Sequence, residues 1–405
     1  MQKTLQILKN SQKKLQSLSA NERNSLILRI ADEIEKNKAE ILKANEQDLA
    51  NAKELSVAMK DRLRLDEMRL NAIKSGLESI ANQSEVIGKI QKGWVAKSGI
   101  KISKISVPIG VIAAIYEARP NVTLEIAALA IKSANGCALK GGKEARLTNL
   151  AFLSALKKAF EPLGFCSVEF LDISRDQVLE LLQMSQYIDM IVPRGGENLV
   201  KFVSQNSKIP VLKHDKGLCH IYIDQKADFK KALNICLNAK CSRPAVCNAA
   251  ETFLVHESIA AEFLPLLKIE LDKFGVKIYG CAKTAALIHC DSANDENFAT
   301  EYDDLILNIK IVENLNEALA HIEKFGSQHS EAIISEDYSA CEQFLAAVDA
   351  SCVFANASTR FNDGGEFGFG AEVGISTNRL HARGPVGVEG LTTYKYIIHG
   401  NGEIR

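Results

Sequence analysis

The sequence predicts an α/β protein with largely parallel sheets, organised as more than one domain. Short apolar runs (CALK, VEFLDI, IDMIV, IPVLK, CHIYI, ETFLVH) alternate with helix-patterned stretches such as RLTNLAFLSALKKAF and DFKKALNICLNAK, the order that lays helices over a parallel sheet. VIAAIY at 111–116 is continuously apolar, as expected of a strand buried on both faces. The 405 residues exceed what one hydrophobic core usually holds.

Residues 1–85 open the chain with Lys, Glu, Leu, Ala and Ile, place apolar residues every three or four positions, and contain no proline. That spacing predicts helices. The texture changes at Gly99, where GIKISKISVP alternates like a strand and a sheet begins. From about Cys352 the chain becomes dense in Gly, Asn, Arg and Thr, which implies unusual backbone conformations or backbone held close to a ligand. Interleaved Phe, Val, Leu and Tyr predict that this segment is packed rather than disordered.

Lys plus Arg (49) balances Asp plus Glu (50), leaving no basic excess to attract nucleic acid or an anionic membrane. The first residues read as amphipathic helix rather than secretory signal, and no window approaches the roughly 18–20 uncharged residues that span a bilayer. A cytoplasmic protein is expected. The 10 cysteines show no CxxC spacing of the kind that holds zinc, so no metal site is expected and most should be buried thiols.

CSRPAVCNAAETFLVH, residues 241–256, holds the strongest chemical candidate. Cys247 falls in the turn between a helix that ends before Pro244 and a buried strand, where rigid supports hold a side chain that is itself accessible. Lys240 and Arg243 lie nearby, and positive charge raises a thiolate fraction. The Asn248 amide is a candidate helper for an oxyanion. Cys241, at the helix end, is the weaker candidate.

YEARPNVTLEIA leaves a buried strand, turns at Arg119, Pro120 and Asn121, and enters a helix. Anions bind at helix N-termini and ligands at strand carboxyl ends, so Arg119 is a candidate for a carboxylate or phosphate. Asn121 suits a helix cap or a donor to a substrate oxygen. Two strand–glycine–helix junctions follow, Lys140-Gly141-Gly142 and Arg194-Gly195-Gly196, and together they suggest a dinucleotide. His214-Asp215 and His381 lack metal spacing and receive no catalytic role.

PIGVIAAIYEARPNVTLEIAALAIKSANGCALKGGKEA, SRPAVCNAAETFLVH and STRFNDGGEFGFGAEVGISTNRLHARGPVGVEGLTTYK resemble the gamma-glutamyl phosphate reductase family within the aldehyde dehydrogenase superfamily, and the resemblance covers nearly the whole chain. The resemblance implies two Rossmann-type parallel-sheet domains plus an oligomerisation arm. An NADP-binding domain is expected over 1–209 and 357–385 with an arm segment at about 87–107, a catalytic domain over 210–356, and an oligomerisation segment over 386–405. It also implies NADPH-dependent reduction of L-glutamyl 5-phosphate to glutamate 5-semialdehyde and phosphate, in proline biosynthesis, through a thioester on Cys247. Asn121 is implied near the reacting carbonyl, Arg119, Asn356 and Arg360 at the substrate, and Lys140 at the adenosine ribose. VLKHDKGLCHIYID stands where hydrolytic relatives carry a water-activating glutamate, and it contains none. A homo-oligomer is expected, and a labile substrate makes a glutamate kinase a natural partner. The alternatives are another acyl-phosphate or acyl-CoA reductase on the same scaffold, or a catalytically silent nucleotide-binding scaffold.

Overall fold

The computed structural model describes residues 1–405 except 56, 118, 214 and 215, so the His214-Asp215 pair lies outside the described residues. The chain folds as two compact units. One comprises Met1–Lys213, Gly368–Gly374 and Pro385–Arg405, and the other His214–Phe367 and Ile375–Gly384.

The first unit opens with helices α1 (Gln2–Gln16), α2 (Ala20–Lys36), α3 (Lys38–Asn51), α4 (Val57–Leu63) and α5 (Glu67–Ala81). Apolar residues at helical spacing give these helices their buried stripes, as with Leu26, Ile27, Ile30 and Ile34 in α2. Ser19 and Glu22 close a capping box at the start of α2, satisfying amides that the helix itself leaves unpaired. Strands β1 (Ile90–Val95) and β2 (Lys101–Pro108) come next, followed by β3 (Val111–Tyr116), α6 (Pro120–Lys132), β4 (Gly136–Lys140), α7 (Arg146–Phe160), β5 (Val168–Phe170), α8 (Arg175–Leu181), β6 (Met190–Arg194) and α9 (Glu197–Asn206). The parallel sheet has the order β5-β4-β3-β6. All of β3 is buried, as its unbroken apolar run predicts. IPVLK forms no strand: it makes one bridge, Ile191 to Val211, because its Pro210 has no N–H to give a ladder.

The second unit contains β7 (Cys219–Ile223), α10 (Phe229–Cys241), β8 (Ala250–His256), α11 (Glu257–Asp272), β9 (Lys277–Gly280), β10 (Asp291–Ser292), β11 (Ile306–Val312), α12 (Leu315–Phe325), β12 (Ser330–Ile334), α13 (Tyr338–Ala347) and β13 (Cys352–Ala355). Its sheet, β10-β9-β11-β8-β7-β12-β13, is parallel throughout. Residues 357–367 and 375–384, grouped above with the first domain, belong to this unit, and 210–213, grouped above with the catalytic domain, belong to the first. Thr359 Oγ1 donates to the Asn248 carbonyl at 2.7 Å and Asn362 Nδ2 to Ser330 Oγ at 2.8 Å, which ties the segment down. A last strand, β14 (Thr392–His399), returns to the first unit and pairs antiparallel with β2 in the sheet β1-β2-β14. No helix among the described residues is long and apolar enough to cross a membrane.

His321 on α12 is 3 % exposed, packed edge-on against Phe298 at 4.9 Å and beside Phe325 at 4.7 Å and His220 at 5.5 Å. Burial, reinforced by His220, pushes its pKa down to about 2. The unfolded chain binds a proton near the ordinary value while the folded chain does not, so below about pH 6.5 stability falls by about 1.4 kcal/mol per pH unit from this residue. His321→Phe should therefore gain on the native protein by about 2 kcal/mol between pH 6.5 and pH 5. Urea unfolding midpoints measured across that range check it; parallel curves for the two proteins would refute it.

Candidate active site

The sequence candidates gather into two groups, each on one edge of one sheet. In the first unit, Lys140 ends β4 and Arg194 ends β6, on either side of Tyr116 at the end of β3. The strand order reverses between β3 and β6, and open parallel sheets bind nucleotides outside the carboxyl ends at such a reversal. Gly196 is the N-cap of α9, and its N–H donates to Glu117 Oε2 at 2.9 Å. A carboxylate oxygen thus already occupies the anion-binding position at this helix N-terminus. Side chains are unwelcome here: a Cβ at Gly195 would lie 2.6 Å from Glu117 Oε2, and one at Gly141 would lie 2.3 Å from Asn149 Nδ2. Gly142 precedes the short 3₁₀ turn Lys143–Ala145 that leads into α7. Lys140 Nζ donates to the Gly141 carbonyl at 2.9 Å, and burial lowers its pKa. Two cations, a helix N-terminus and close-approach glycines at the reversal fit a dinucleotide phosphate.

Arg119 is the N-cap of α6, with Pro120 at the first helical position. Asn121 is therefore not the cap. It lies one residue inside the helix, where its Nδ2 donates to Glu125 Oε1 at 3.1 Å.

In the second unit the chemistry lies at the opposite strand ends. Cys219, Ala250, Ser330 and Cys352 line up in parallel register at the amino ends of β7, β8, β12 and β13. Cys247 stands three residues before β8, in the expected turn after α10, and is partly exposed. Its backbone is held tightly from below. A Cβ at buried Gly217 would lie 2.2 Å from the Cys247 carbonyl oxygen and 2.6 Å from its Cα. Cys219 Sγ donates to the same carbonyl at 3.2 Å. Cys241 is the last residue of α10, and burial raises its pKa, which disfavours a nucleophilic thiolate.

Asn248 does not serve as the oxyanion helper through its side chain. Its Nδ2 donates to the Asn362 carbonyl at 3.0 Å and the Arg360 carbonyl at 3.3 Å, and its Oδ1 accepts from the Arg360 guanidinium. The side chain thus splices the nucleophile turn to 359–362. Its backbone N–H, by contrast, has no hydrogen-bond partner among the described residues, although the residue is 3 % exposed. Arg360 is half-buried; burial and the neighbouring Arg243 lower its pKa, while an ionised Cys247 raises it. That attraction is mutual, so Arg360 stabilises a thiolate at 247. Asn356 departs from its expected role. It adopts a left-handed backbone, φ 55°, and its amide brackets Ser335, accepting from Ser335 N at 3.0 Å and donating to Ser335 O at 2.8 Å.

Sequence reasoning missed Glu301. Its Oε1 would lie 2.6 Å from a Cβ at Gly217, the same distance as Cys247 Cα, so the two atoms are within 5.2 Å of each other. The residue lies in a loop before β11, in a stretch with no local signature of chemistry. No cluster of metal-ligating side chains occurs among the described residues.

The aldehyde dehydrogenase family model matches residues 1–285. Gamma-glutamyl phosphate reductase of Nautilia profundicola is 50% identical over 410 residues, covering 100% of each chain, and that of Campylobacter jejuni is 47% identical with the same coverage. The crystal structure of gamma-glutamyl phosphate reductase from Thermotoga maritima superimposes with a TM-score of 0.97 at 42% identity, covering 100% of this chain and 99% of that one. An acetylating aldehyde dehydrogenase from Geobacillus thermoglucosidasius, at TM-score 0.70 and 19% identity, shares the fold.

Proposed function

The chain belongs to the aldehyde dehydrogenase family and, within it, to the gamma-glutamyl phosphate reductases; from that premise we propose that it reduces L-glutamyl 5-phosphate to L-glutamate 5-semialdehyde, releasing phosphate, with NADPH as reductant. One observation carries the substrate: full-length relatives bear a single reaction name. Cys247, poised in its turn beside Arg360, supports the chemistry.

The Cys247 sulfur attacks the acyl-phosphate carbonyl carbon. As the S–C bond forms, the C–O bond to phosphate breaks and phosphate leaves with its electron pair, giving a thioester. The thioester carbonyl then accepts the hydride that bound NADPH supplies, and the resulting thiohemiacetal expels the sulfur as the aldehyde forms. Lys140, Arg194 and the α9 N-terminus at Gly196 are the groups we assign to the cofactor, and Arg119 and Arg360 to the anionic ends of the substrate. Asn121, the second residue of α6, adjoins the Arg119 corner in sequence and is assigned beside the substrate. Asn356 is assigned no direct contact, since both ends of its amide are held by Ser335.

Self-association belongs to the same proposal. β1 and β14 flank β2, so each leaves one edge open, and Trp94, Tyr394 and Tyr396 stand exposed on that sheet. A cytoplasmic setting, beside a kinase that makes the labile acyl phosphate, suits this chemistry.

Glu301 favours a second reading, a hydrolytic dehydrogenase in which this carboxylate delivers water to the thioester. Running the reaction in reverse separates the two. Purified protein with glutamate semialdehyde and NADP should form NADPH only when inorganic phosphate is present. NADPH formed equally well in an inert salt would establish hydrolysis, and no NADPH with either would reject both readings.

A further inference from the structure

Lys240 and Glu251 form a buried pair at the nucleophile turn. Lys240 Nζ donates to Glu251 Oε2 at 2.9 Å, and the two side chains are 0 % and 2 % exposed. Lys240 lies in the last turn of α10 and Glu251 is the second residue of β8, so their contact joins the elements on either side of residues 241–250, the stretch that carries Cys247. The sequence reading has Lys240 favour a thiolate at 247. In the structure its ammonium donates instead to Glu251, across the base of the turn.

The rest of this seam is apolar. Ala232, Cys236 and Ala239 of α10 share one core cluster with Ala250, Phe253 and Val255 of β8. Alternation along a strand puts Glu251 on the face of Phe253 and Val255, so the pair occupies the end of the seam nearest Cys247. Stability does not call for charge there. Two apolar side chains of similar volume hold a buried seam as well as an ion pair does, or better, because no charge has to leave water. That desolvation is felt at Glu251: burial raises its carboxyl pKa, Lys240 opposes, and Glu301, whose carboxylate stands beside Cys247, raises it further. What the pair adds over apolar contact is direction, because a charge-assisted hydrogen bond fixes both a distance and an angle. Asn248 and Thr359 tie the crest of the turn to 359–362, and the Lys240–Glu251 pair closes its base.

We propose that Lys240 and Glu251 are positioning residues: their buried pair clasps the two ends of the 241–250 turn and sets where the Cys247 sulfur meets the substrate. The inference rests on Cys247 being the nucleophile. A turn closed at a fixed angle presents its thiol in one place, whereas a turn closed by apolar contact is as stable but free to shift. Misplacement on the order of 1 Å costs catalysis about 10²-fold. The groups that bind substrate stay where they are, so the loss falls on kcat.

The test uses the reverse reaction with glutamate semialdehyde, NADP and phosphate, with rates divided by the amount of Cys247 that reacts with iodoacetamide, counted by peptide mass spectrometry. The double variant Lys240→Met/Glu251→Leu removes the pair and fills its space with apolar atoms. Its urea midpoint should match or exceed that of the native protein, while kcat per reactive site falls by about 10- to 100-fold and KM stays within about threefold. A merely structural pair would give back kcat together with stability, so a stable and fully active double variant overturns the proposal. A loss confined to KM does the same. Were Lys240 to act through its charge on the thiolate, the pH midpoint of Cys247 alkylation would rise by about one unit or more in the double variant, and that result also overturns it; a positioning role leaves the midpoint in place. Should the double variant fail to fold, Glu251→Gln decides. It keeps the side-chain volume and an oxygen facing Lys240 but loses the charge, so hydrogen exchange of the 241–250 amides must quicken as kcat falls, and native exchange with native kcat ends the idea. Cys247→Ala tests the underlying reading separately. Full turnover there removes the nucleophile itself, whereas a dead Cys247→Ala beside a stable, fully active double variant removes only the clasp.

Discussion

Cys247→Ala should abolish turnover, with a loss of about 10⁴- to 10⁶-fold, while the protein folds and binds cofactor as before. The magnitude follows from the mechanism: without the sulfur there is no covalent acyl carrier, and loss of an enzyme nucleophile removes roughly 5–8 kcal/mol of transition-state stabilisation. Folding should be indifferent because the side chain is only partly buried. The contacts that hold the turn run to the Cys247 backbone carbonyl and to Asn248, and alanine keeps them all. Cofactor binding should persist because Lys140, Arg194 and Gly196 belong to the other compact unit. The measurements are steady-state NADPH formation and a fluorescence titration of NADPH. Turnover within tenfold of the native enzyme would end the thioester mechanism, and loss of NADPH binding would mean the cofactor assignment is misplaced.

Gly217→Ala should be the next most damaging, for a purely steric reason. The added methyl carbon would lie 2.2 Å from the Cys247 carbonyl oxygen, 2.6 Å from its Cα and 2.6 Å from Glu301 Oε1. Two of these are backbone atoms of the nucleophile, so neither can swing aside as a flexible side-chain end would. Either β7 or the turn must move by about an ångström, and misplacement on that scale costs catalysis about 10²-fold. Overpacking of this kind also destabilises by about 1–3 kcal/mol. The glycine is thus required by close approach rather than by backbone conformation. Kinetics of the purified variant, with its urea midpoint, check both parts; a kcat within threefold of the native value would show that the turn is more yielding than its packing indicates.

The fold was legible because strands and helices announce themselves locally. VIAAIY, CHIYI and ETFLVH are buried strands where they read as such, and the helix before Pro244 ends at Cys241. The position of Cys247 was legible for the same reason, since a turn between two strong local signals is itself a local signal. What surrounds it was not. Cys219, His329 and Glu301 come from three other segments, brought together by the parallel register of β7, β8 and β12 and by a loop, and no spacing along the chain encodes that meeting. Asparagine misled in a physical way. Its amide matches a substrate oxygen and a backbone peptide equally well, and at Asn356 and in the Asn248 side chain the structure uses it on backbone. The general preference for ligands at strand carboxyl ends agrees with the first unit's candidates but not with the second, where Cys247 stands at the amino ends.

The pairing of β14 with β2 bears on how the chain is made. Pro108 faces Thr392 and Lys101 faces His399, partners roughly 280–300 residues apart. At about 5–20 residues per second a ribosome needs roughly 15–60 s to travel that distance. Throughout that time β2 waits with β1 alone, a two-stranded ribbon of marginal stability whose free edge is open to any extended segment. Nascent chains on neighbouring ribosomes carry the same edge and can satisfy it in one another. Ser106, Lys104 and Lys101, polar or charged along the waiting strand, then act as gatekeepers for an edge that stays open during synthesis.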